Sequence, residues 1–292
     1  MIRLFGLLIV AFMANPATGE DRGPAGMSCA GPLFQGGFVI CALSADTGAY
    51  QLETSDGKQA KLSFGHPALL PFSRNSPLDI IVQAKGLSQH WQPELETQRF
   101  TLQAGDWAIE RIDGLPPGKV TPRTLEQQQK VEADWKKKQI AWAHRTAASW
   151  YAGGFTKPVS NSRTSGVYGS QRILNGKPKN PHLGMDFAAP KGTDILSPAQ
   201  AEVVLAEPDM YFEGGLLVLD HGAGVMSVML HMSKLDVKLG EQVKQGQKVG
   251  EVGMTGRATG PHLHWGIKVR GTYISPALAL AYTAPQEAIS SD

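Results

Sequence analysis

Histidine is concentrated in the second half of this chain, where five of the eight histidines lie between Pro181 and Trp265. The first of them opens the run His182-Leu183-Gly184-Met185-Asp186. The glycine inside this run and the prolines that flank it disfavour a helix. In an extended segment, positions four apart project to the same side, so the imidazole and the carboxylate could converge on one ion. The spacing is common, and by itself it fits a segment without a metal equally well.

A pair of histidines follows in the run Gly260-Pro261-His262-Leu263-His264-Trp265. With the two-residue period of a strand, His262 and His264 share one face, while Leu263 and Trp265 are buried on the other. Two imidazoles on one face suit a metal ligand next to a group that moves protons. A partly exposed strand with two incidental histidines is the alternative for this run taken alone.

His231 ends an apolar run, residues 225–230, that is predicted to form a hairpin with residues 216–219 around the turn 221–224. Taken alone, this histidine fits a packed core residue. Only the presence of the other histidines supports a catalytic role for it. Two histidines and one carboxylate leave a fourth tetrahedral position for water, the pattern of catalytic zinc. Zinc brings the pKa of such a water toward neutrality and polarises a carbonyl. The residues therefore predict a zinc-dependent hydrolase with further histidines for proton transfer.

Rival motifs with related chemistry are missing or incomplete in this sequence. No His-Glu-x-x-His occurs, which excludes a helix-borne zinc protease with a glutamate base. Gly256 followed by His262 and His264 matches the start of a cupin signature, but Lys268 and Val269 stand where its glutamate is expected. Residues 253–257 are glycine-rich, yet they lack the Gly-Lys-Ser/Thr of a phosphate-binding loop.

Several short runs occur in order between about Phe155 and Pro276. They are residues 165–169 (SGVYG), 182–190 (HLGMDFAAP), 192–193 (GT), 218–224 (VLDHGAG), 230–233 (LHMS) and 253–265 (GMTGRATGPHLHW). In order and spacing together, this region closely resembles the M23 peptidases, also called the lysostaphin or LytM type. The resemblance implies a C-terminal antiparallel β-sheet peptidase domain, placed at residues 153–280.

The resemblance also implies a role for each histidine of the region. It implies one Zn²⁺ per chain, held by His182, Asp186 and His264. His231 and His262 would be the catalytic histidines beside the metal. His221 matches a histidine that the family often carries in a hairpin turn, and it is expected to be structural.

The rest of the chain predicts a mainly β protein with one long helix. Short strands separated by turn residues, the last of them at residues 107–112, indicate a small N-terminal β-domain over residues 28–118. A stretch without glycine or proline then follows Thr121-Pro122 and is predicted to be helical to about Ser149, with Thr121 as its N-cap, within a linker over residues 119–152. The fold class is therefore an N-terminal β-domain, a connecting helix and a C-terminal peptidase domain, with residues 281–292 as a flexible tail.

Residues 1–19 have the features of a signal peptide. Arg3 provides a positive start, residues 4–13 are apolar, and residues 17–19 are small. The apolar run is too short to span a bilayer, so no stable membrane insertion is expected. We expect an exported, periplasmic protein of a Gram-negative bacterium. In an oxidising compartment Cys29 and Cys41 are expected to form a disulfide, with two separately buried thiols as the alternative.

The nearly balanced charge of the chain limits the classes of molecule that it could bind. The chain has 28 basic and 26 acidic side chains, a formal net charge of +2, which argues against nucleic acid. The resemblance implies an endopeptidase whose partners are the stem peptides of peptidoglycan, with the D-alanyl-diaminopimelate cross-link as the bond cut. One alternative is a catalytically silent relative that binds the wall and activates an amidase. Another is a structural β-protein whose histidines merely cluster.

Overall fold

The computed structural model describes residues 26–88, 94–122 and 124–282. Over these ranges the chain is built mainly of strands, which confirms the predicted fold class. The predicted signal peptide lies outside the described residues, and so does the predicted tail from residue 283 onward. In the part of the chain that is described, no helix is both long enough and apolar enough to cross a membrane.

Seven strands of the first half form two small sheets. They are β1 Met27–Ala30, β2 Phe38–Leu43, β3 Ala49–Thr54, β4 Gln59–Ser63, β5 Ala68–Pro71, β6 Asp79–Gly86 and β7 Gln98–Thr101. One sheet has the order β1-β2-β5 and the other β4-β3-β6-β7. Apolar side chains from both sheets, among them Leu52, Leu70 and Ile80, are buried in one shared core. Cys29 and Cys41 lie directly opposite each other on β1 and β2 and form the predicted disulfide.

The second half contains the remaining strands and all the helices of the described residues. In chain order the elements are β8 Ile109–Ile112, α1 Pro117–Val120, α2 Leu125–Ala143, a 3-10 turn Trp150–Gly153, β9 Arg163–Gly166, β10 Gln171–Leu174, β11 Lys177–Pro178, β12 Met185–Ala188, β13 Asp194–Leu196, β14 Ala201–Met210, β15 Gly214–Asp220, β16 Val225–Met232, β17 Lys234–Leu235, β18 Gln242–Val243, β19 Lys248–Glu251, β20 His262–Val269, β21 Thr272–Ile274 and α3 Pro276–Ala281.

An antiparallel sheet of eight strands is the framework of this half. Its order is β18-β14-β15-β16-β20-β12-β9, and β21 pairs with β20 beside that path. The predicted hairpin around the turn 221–224 is present as β15 and β16. Every position of β15 is buried, because both faces of this central strand are covered. The core beneath the sheet also includes Phe38 and Leu69 from the first half, so the two halves share packed apolar surface.

The long helix begins and ends at different residues from those predicted. Thr124, not Thr121, is its N-cap: its hydroxyl accepts a hydrogen bond from the Gln127 amide, and the Gln127 side chain accepts one from the Thr124 amide. This reciprocal capping box fixes the start of α2 at Leu125. The helix ends at Ala143 rather than near Ser149, since His144 has an extended backbone and contacts the Asp220 carboxylate.

The strand predicted near residue 109 has an unexpected partner. We assigned it to the N-terminal β-domain, but β8 pairs in parallel with β10, with Ile109 opposite Gln171 and Glu110 opposite Arg172. β11 completes this three-stranded sheet on the other side of β10. The sheet brings Glu110, from the first half of the chain, next to Arg172 in the second half, near the histidine cluster.

Candidate active site

The histidine pair projects from one face of β20, as its alternation predicted. Leu263 and Trp265 are fully buried on the opposite face. Trp265 is fixed further by a hydrogen bond from its indole nitrogen to the Ser227 hydroxyl. A strand whose apolar face is immobilised in this way holds its polar face in one position, which suits a site that depends on geometry.

His182 and Asp186 lie across from His264. Asp186 is on β12 directly opposite His264 of β20, and His182 is in the extended segment just before β12. The Nε2 atom of His182 lies 2.9 Å from Oδ1 of Asp186 and 2.9 Å from Nδ1 of His264. Nδ1 of His264 lies 2.8 Å from the same Asp186 oxygen. Three potential metal-ligating atoms therefore lie within 2.9 Å of one another, although Asp186 and His264 are 78 residues apart in the sequence.

Two glycines make room for this convergence. A Cβ added at Gly184 would lie 2.5 Å from Cε1 of His264, and one at Gly166 would collide with the Asp186 carboxylate. Real side chains do not tolerate such distances, so any larger residue at either position would push the ring or the carboxylate away. The glycine inside the run 182–186 thus permits the geometry as well as disfavouring a helix.

The hydrogen bonds around the cluster leave its nitrogen atoms available to a metal. His182 donates its Nδ1 proton to the Val167 carbonyl at 2.9 Å. The lone pair of its Nε2 atom is therefore available to bind a metal. Two imidazole nitrogens and one carboxylate oxygen are a donor set that suits zinc. Within the described ranges these three residues are the one group of His, Cys, Asp or Glu side chains with converging ligand atoms. The residues present therefore fit a bound zinc ion.

Arg172 is a site residue that the sequence analysis missed. Its Nη2 donates to Oδ2 of Asp186 at 2.9 Å, and its Nε donates to Glu110 on β8 at 3.3 Å. The Asp186 oxygen used by arginine is not the one that faces the imidazoles, so the guanidinium orients the carboxylate without occupying its inner oxygen. No motif marks Arg172 or Glu110, and the parallel pairing of β8 with β10 is what joins them.

His231 and His262 form a second histidine pair next to the first. Their ring centroids are 4.8 Å apart, and the His231 ring is 6.4 Å from that of His264. Each donates its Nδ1 proton to a carbonyl, His231 to Thr255 at 2.9 Å and His262 to Gly260 at 2.8 Å. Both rings therefore keep Nε2 free to accept a proton.

A β-bulge places His231 in the site. Between β15 and β16 the register shifts, so that the step from Met229 to Met232 stands against only Gly215 to Leu217. His231 has a left-handed backbone with a φ of 67°, which is uncommon outside glycine. Its amide still donates to the Glu213 carbonyl at 2.8 Å. The irregularity turns the ring of His231 toward His262, which a regular strand would not do.

Burial and close contacts shift the pKa values of the site. Burial favours the neutral form of Asp186, but hydrogen bonds from His182 and His264 outweigh it and hold the pKa of that carboxyl well below its usual range. Burial lowers the pKa of His264 to about 4. Burial, reinforced by His262 and His264, lowers the pKa of His231 to about 3. Both imidazoles are therefore neutral at neutral pH and retain a lone pair for a metal or a proton.

Comparison with known proteins agrees with this geometry. The profile of the family described as Peptidase family M23 matches residues 180–276, a segment that contains all five predicted site residues. The chain carries an M23 peptidase domain. The chain is 45% identical over 91 residues to the peptidoglycan DD-endopeptidase ShyA of Vibrio cholerae, an alignment that covers 31% of this chain and 21% of ShyA.

Two further similarities extend beyond the M23 domain. The DD-carboxypeptidase/endopeptidase Mpg of Neisseria meningitidis is 30% identical over 135 residues, which cover 46% of this chain and 31% of Mpg. A crystal structure of a candidate M23 peptidase from Pseudomonas aeruginosa has a TM-score of 0.62 at 25% identity, covering 85% of this chain and 95% of that one. The chain thus spans a fifth to a third of these two curated relatives, and most of the solved structure.

A cleft of about 840 Å³ opens over the M23 site. His182, His231 and His264 lie on its floor, and α2 contributes one wall through Trp135, Lys138 and Trp142. A smaller recess of about 60 Å³ shares His231 with the cleft and reaches Asp186 and His262. The linker helix is therefore part of the surface that a ligand of the M23 domain would meet.

The remaining histidines lie away from the M23 site. His221 is fully buried, with Nδ1 2.9 Å from the Gln200 carbonyl and Nε2 2.7 Å from the Ser227 hydroxyl, which fits the structural role expected for it. His66 is exposed, and His144 contacts Asp220 at 3.1 Å near the end of α2. His90 is outside the described residues.

Proposed function

We propose that the protein is a zinc-dependent endopeptidase that hydrolyses peptide cross-links of peptidoglycan. One observation carries the proposal: an M23 domain in which three metal-ligating atoms converge, with the paired imidazoles of His231 and His262 beside them. His182, Asp186 and His264 are proposed to hold one zinc ion. When bound, the ion supplies Lewis-acid chemistry toward a carbonyl and a water molecule.

His231 and His262 are proposed to carry the proton transfers. Their Nε2 atoms are the free positions, because both Nδ1 protons are committed to backbone carbonyls. One Nε2 accepts the proton of the attacking water and, as an imidazolium, stabilises the negative charge that develops on the carbonyl oxygen. Return of a proton to the departing amine completes hydrolysis of the amide. Burial favours the neutral form of His231, which is the form that accepts a proton.

The substrate and the bond are proposed from relatives. ShyA is described as a peptidoglycan DD-endopeptidase and Mpg as a DD-carboxypeptidase/endopeptidase. We propose D-alanyl-diaminopimelate cross-links as the bond cut and the periplasm of a Gram-negative bacterium as the location, after removal of residues 1–19. A catalytically silent wall-binding protein would not need residues that transfer protons. The presence of both His231 and His262 therefore favours the enzyme over this alternative.

The test is digestion of purified sacculi, with the muropeptides separated by chromatography and zinc measured in each protein preparation. Wild type should convert cross-linked dimers to monomers. His231→Ala and His262→Ala should keep zinc and lose activity by roughly 100-fold or more, the range for loss of an acid or base. His182→Ala should lose both. His66→Ala, at an exposed histidine far from the site, should change neither.

Failure of wild type to cleave dimers would overturn the proposed reaction. Loss of zinc in His262→Ala, or its retention in His182→Ala, would overturn the division of the histidines into ligands and proton carriers. The His66→Ala preparation separates these outcomes from a general effect of handling the protein.

A further inference from the structure

Strand β20 extends the face of the active site beyond the histidines. His262, His264, Gly266 and Lys268 alternate on one face of this strand, where His264 and Lys268 line the cleft, while the residues between them are fully buried. At a rise of about 3.3 Å per residue, Lys268 is about 13 Å along the strand from His264. Gly266 lies between them, where an added Cβ would stand 3.0 Å from the Leu183 carbonyl oxygen and 3.2 Å from the Tyr273 ring, so its lack of a side chain lets these two parts of the cleft lining pack against the strand.

The Lys268 ammonium has aromatic neighbours but no acidic partner. Its Nζ is 4.2 Å from the centroid of the Trp142 ring and 5.1 Å from that of Tyr273. Across the described parts of the chain, no carboxylate oxygen lies within 4 Å of it. The nearby Lys138 is different, because it pairs with Glu213 in the cleft wall. Lys268 is thus an uncompensated cation at the end of the cleft away from His262.

The two rings hold this ammonium without neutralising it. Cation–π contacts contribute about 0.5 to 2 kcal/mol and orient the chain, but they leave the charge in place. Burial, together with the charge of Lys138, lowers the pKa of Lys268 to about 8, so the protonated form still predominates at pH 7. A ligand carboxylate placed here would gain a charge-assisted hydrogen bond and offset the desolvation of the lysine.

We propose that Lys268, held between Trp142 and Tyr273, binds a carboxylate of the substrate peptide at a distance from the bond that is cut. The proposal rests on the proposed function and adds to it a substrate class: cross-linked peptides with a free carboxylate about three to four residues from the scissile amide, given about 3.5 Å per extended residue. Peptides in which that carboxylate is amidated lack the anionic partner and should bind more weakly.

The experiment compares two synthetic cross-linked stem-peptide dimers, one with free glutamate and diaminopimelate carboxylates and one with those groups amidated. Binding is measured by calorimetry on zinc-loaded full-length protein in the His231→Ala background, so that no hydrolysis intervenes. Lys268→Met keeps the length of the side chain and removes the charge. Lys268→Arg restores the charge, and Lys244→Met removes a charge from an exposed lysine outside the cleft.

Lys268→Met should raise Kd for the free-carboxylate dimer about tenfold, as expected for loss of one charged hydrogen bond, and change Kd for the amidated dimer little. Lys268→Arg should recover most of the affinity, and Lys244→Met should behave as the parent. In the hydrolytically competent background the same substitution should raise KM and leave kcat nearly unchanged. Equal effects of Lys268→Met on the two dimers, or none on either, would overturn the proposal.

These outcomes are distinct from those that test hydrolysis. If wild type leaves cross-links intact while the selective binding loss is observed, the carboxylate site stands and the proposed reaction fails. If wild type cleaves cross-links and Lys268→Met binds both dimers as its parent does, the reaction stands and the carboxylate site fails. Absence of binding of either dimer to the parent would overturn the carboxylate site alone, because digestion of sacculi by wild type decides the reaction.

Discussion

Asp186 uses its two carboxylate oxygens for different purposes. Oδ1 meets the imidazoles of His182 and His264, and Oδ2 accepts a hydrogen bond from Arg172. Arg172 in turn is held by Glu110. A carboxylate fixed through one oxygen presents the other in a single orientation, which reduces the ordering needed when a metal binds.

Loss of this support should weaken metal binding. We expect Arg172→Met to lower zinc affinity roughly tenfold, at the lower end of the range for residues that orient metal ligands. Competition with a chromogenic chelator measures the affinity without reference to catalysis. Arg163→Met, at an exposed arginine on β9, is the matched control. An unchanged affinity in Arg172→Met would show that Asp186 is held well enough by the two histidines alone.

His221 should make the fold sensitive to acid. Burial lowers its pKa from 6.5 to about 4, whereas in the unfolded chain it titrates normally. Below about pH 6.5 the unfolded state therefore takes up a proton that the folded state refuses, so stability falls as the pH drops toward 4. At about 1.4 kcal/mol per pKa unit, this histidine should account for up to about 3 kcal/mol of the loss.

The measurement is urea unfolding of metal-free protein at several pH values between 4.5 and 7.5. His221→Asn keeps hydrogen-bonding groups but cannot titrate. The slope of its unfolding free energy against pH should therefore be smaller than that of wild type by the equivalent of nearly one bound proton. The other buried histidines contribute equally to both proteins. Parallel stability curves for wild type and variant would contradict the assignment.

At this scale, the sequence predicted the residues whose positions follow from local periodicity. The shared face of His262 and His264 needed only the alternation of a strand, and the convergence of His182 with Asp186 needed only an extended segment. Arg172 could not be found in this way, because its partner Glu110 is 62 residues earlier and comes into contact through a parallel strand pair. The left-handed backbone of His231 also has no local sequence signal, since it depends on a register shift against β15.

Among the elements, α2 stands out because it supports the cleft as well as lining it. Asp134 is buried, and its Oδ2 accepts a hydrogen bond from the Tyr211 amide at 2.7 Å, while Lys130 binds its other oxygen at 3.3 Å. Tyr211 lies in the turn between β14 and β15, next to Phe212 and Glu213 of the cleft. The helix thereby fixes one rim of the site.

Asp134→Ala should destabilise the protein by about 2 kcal/mol, because it leaves the Tyr211 amide without its partner. Glu132→Ala serves as the control, since Glu132 makes an exposed ion pair with Lys136 one turn away, and such pairs contribute little to stability. Guanidinium unfolding of both variants gives the comparison. Equal, small effects of the two substitutions would show that the turn holds its shape without the helix.

The boundaries of elements were predicted less well than their existence. Both Thr121 and Thr124 are capable N-caps, and only Thr124 has a glutamine three residues later to complete the capping box. Strand β8 was recognised as a strand, but its partner was not, because sequence patterns carry no information on which distant strand it joins. Antiparallel neighbours close in sequence, such as β15 and β16, were predicted correctly from the turn between them.

At the scale of the whole molecule, one hydrophobic core contains residues from both halves of the chain. Phe38 of β2 is almost fully buried in the core of the peptidase half, and its ring contacts that of Tyr282 at a centroid distance of 5.3 Å. Tyr151 donates a hydrogen bond to the Pro67 carbonyl, and Ser275 donates one to Gly36. Shared apolar packing of this kind couples the unfolding of the two halves.

Phe38→Ala should therefore lower the stability of both halves, by about 3 to 5 kcal/mol, the usual range for loss of a buried phenylalanine. Calorimetry should show one transition in wild type and in the variant, at a lower temperature in the latter. Phe64→Ala, at a ring that is 51% exposed, should shift it little. Two transitions of which only one moves would mean that the halves unfold independently.

The left-handed backbone at His231 has a consequence for how such chains evolve. Histidine at a φ of 67° carries a conformational cost of roughly 1 kcal/mol, which glycine would not have. Replacement by glycine removes this cost, but it loses the hydrogen bond to Thr255, itself a contribution of about 1 kcal/mol, and the packing of a ring that is only 7% exposed. A chain that drifted to glycine at this position would relieve its backbone and lose more stability than it gained, so the fold itself opposes that drift.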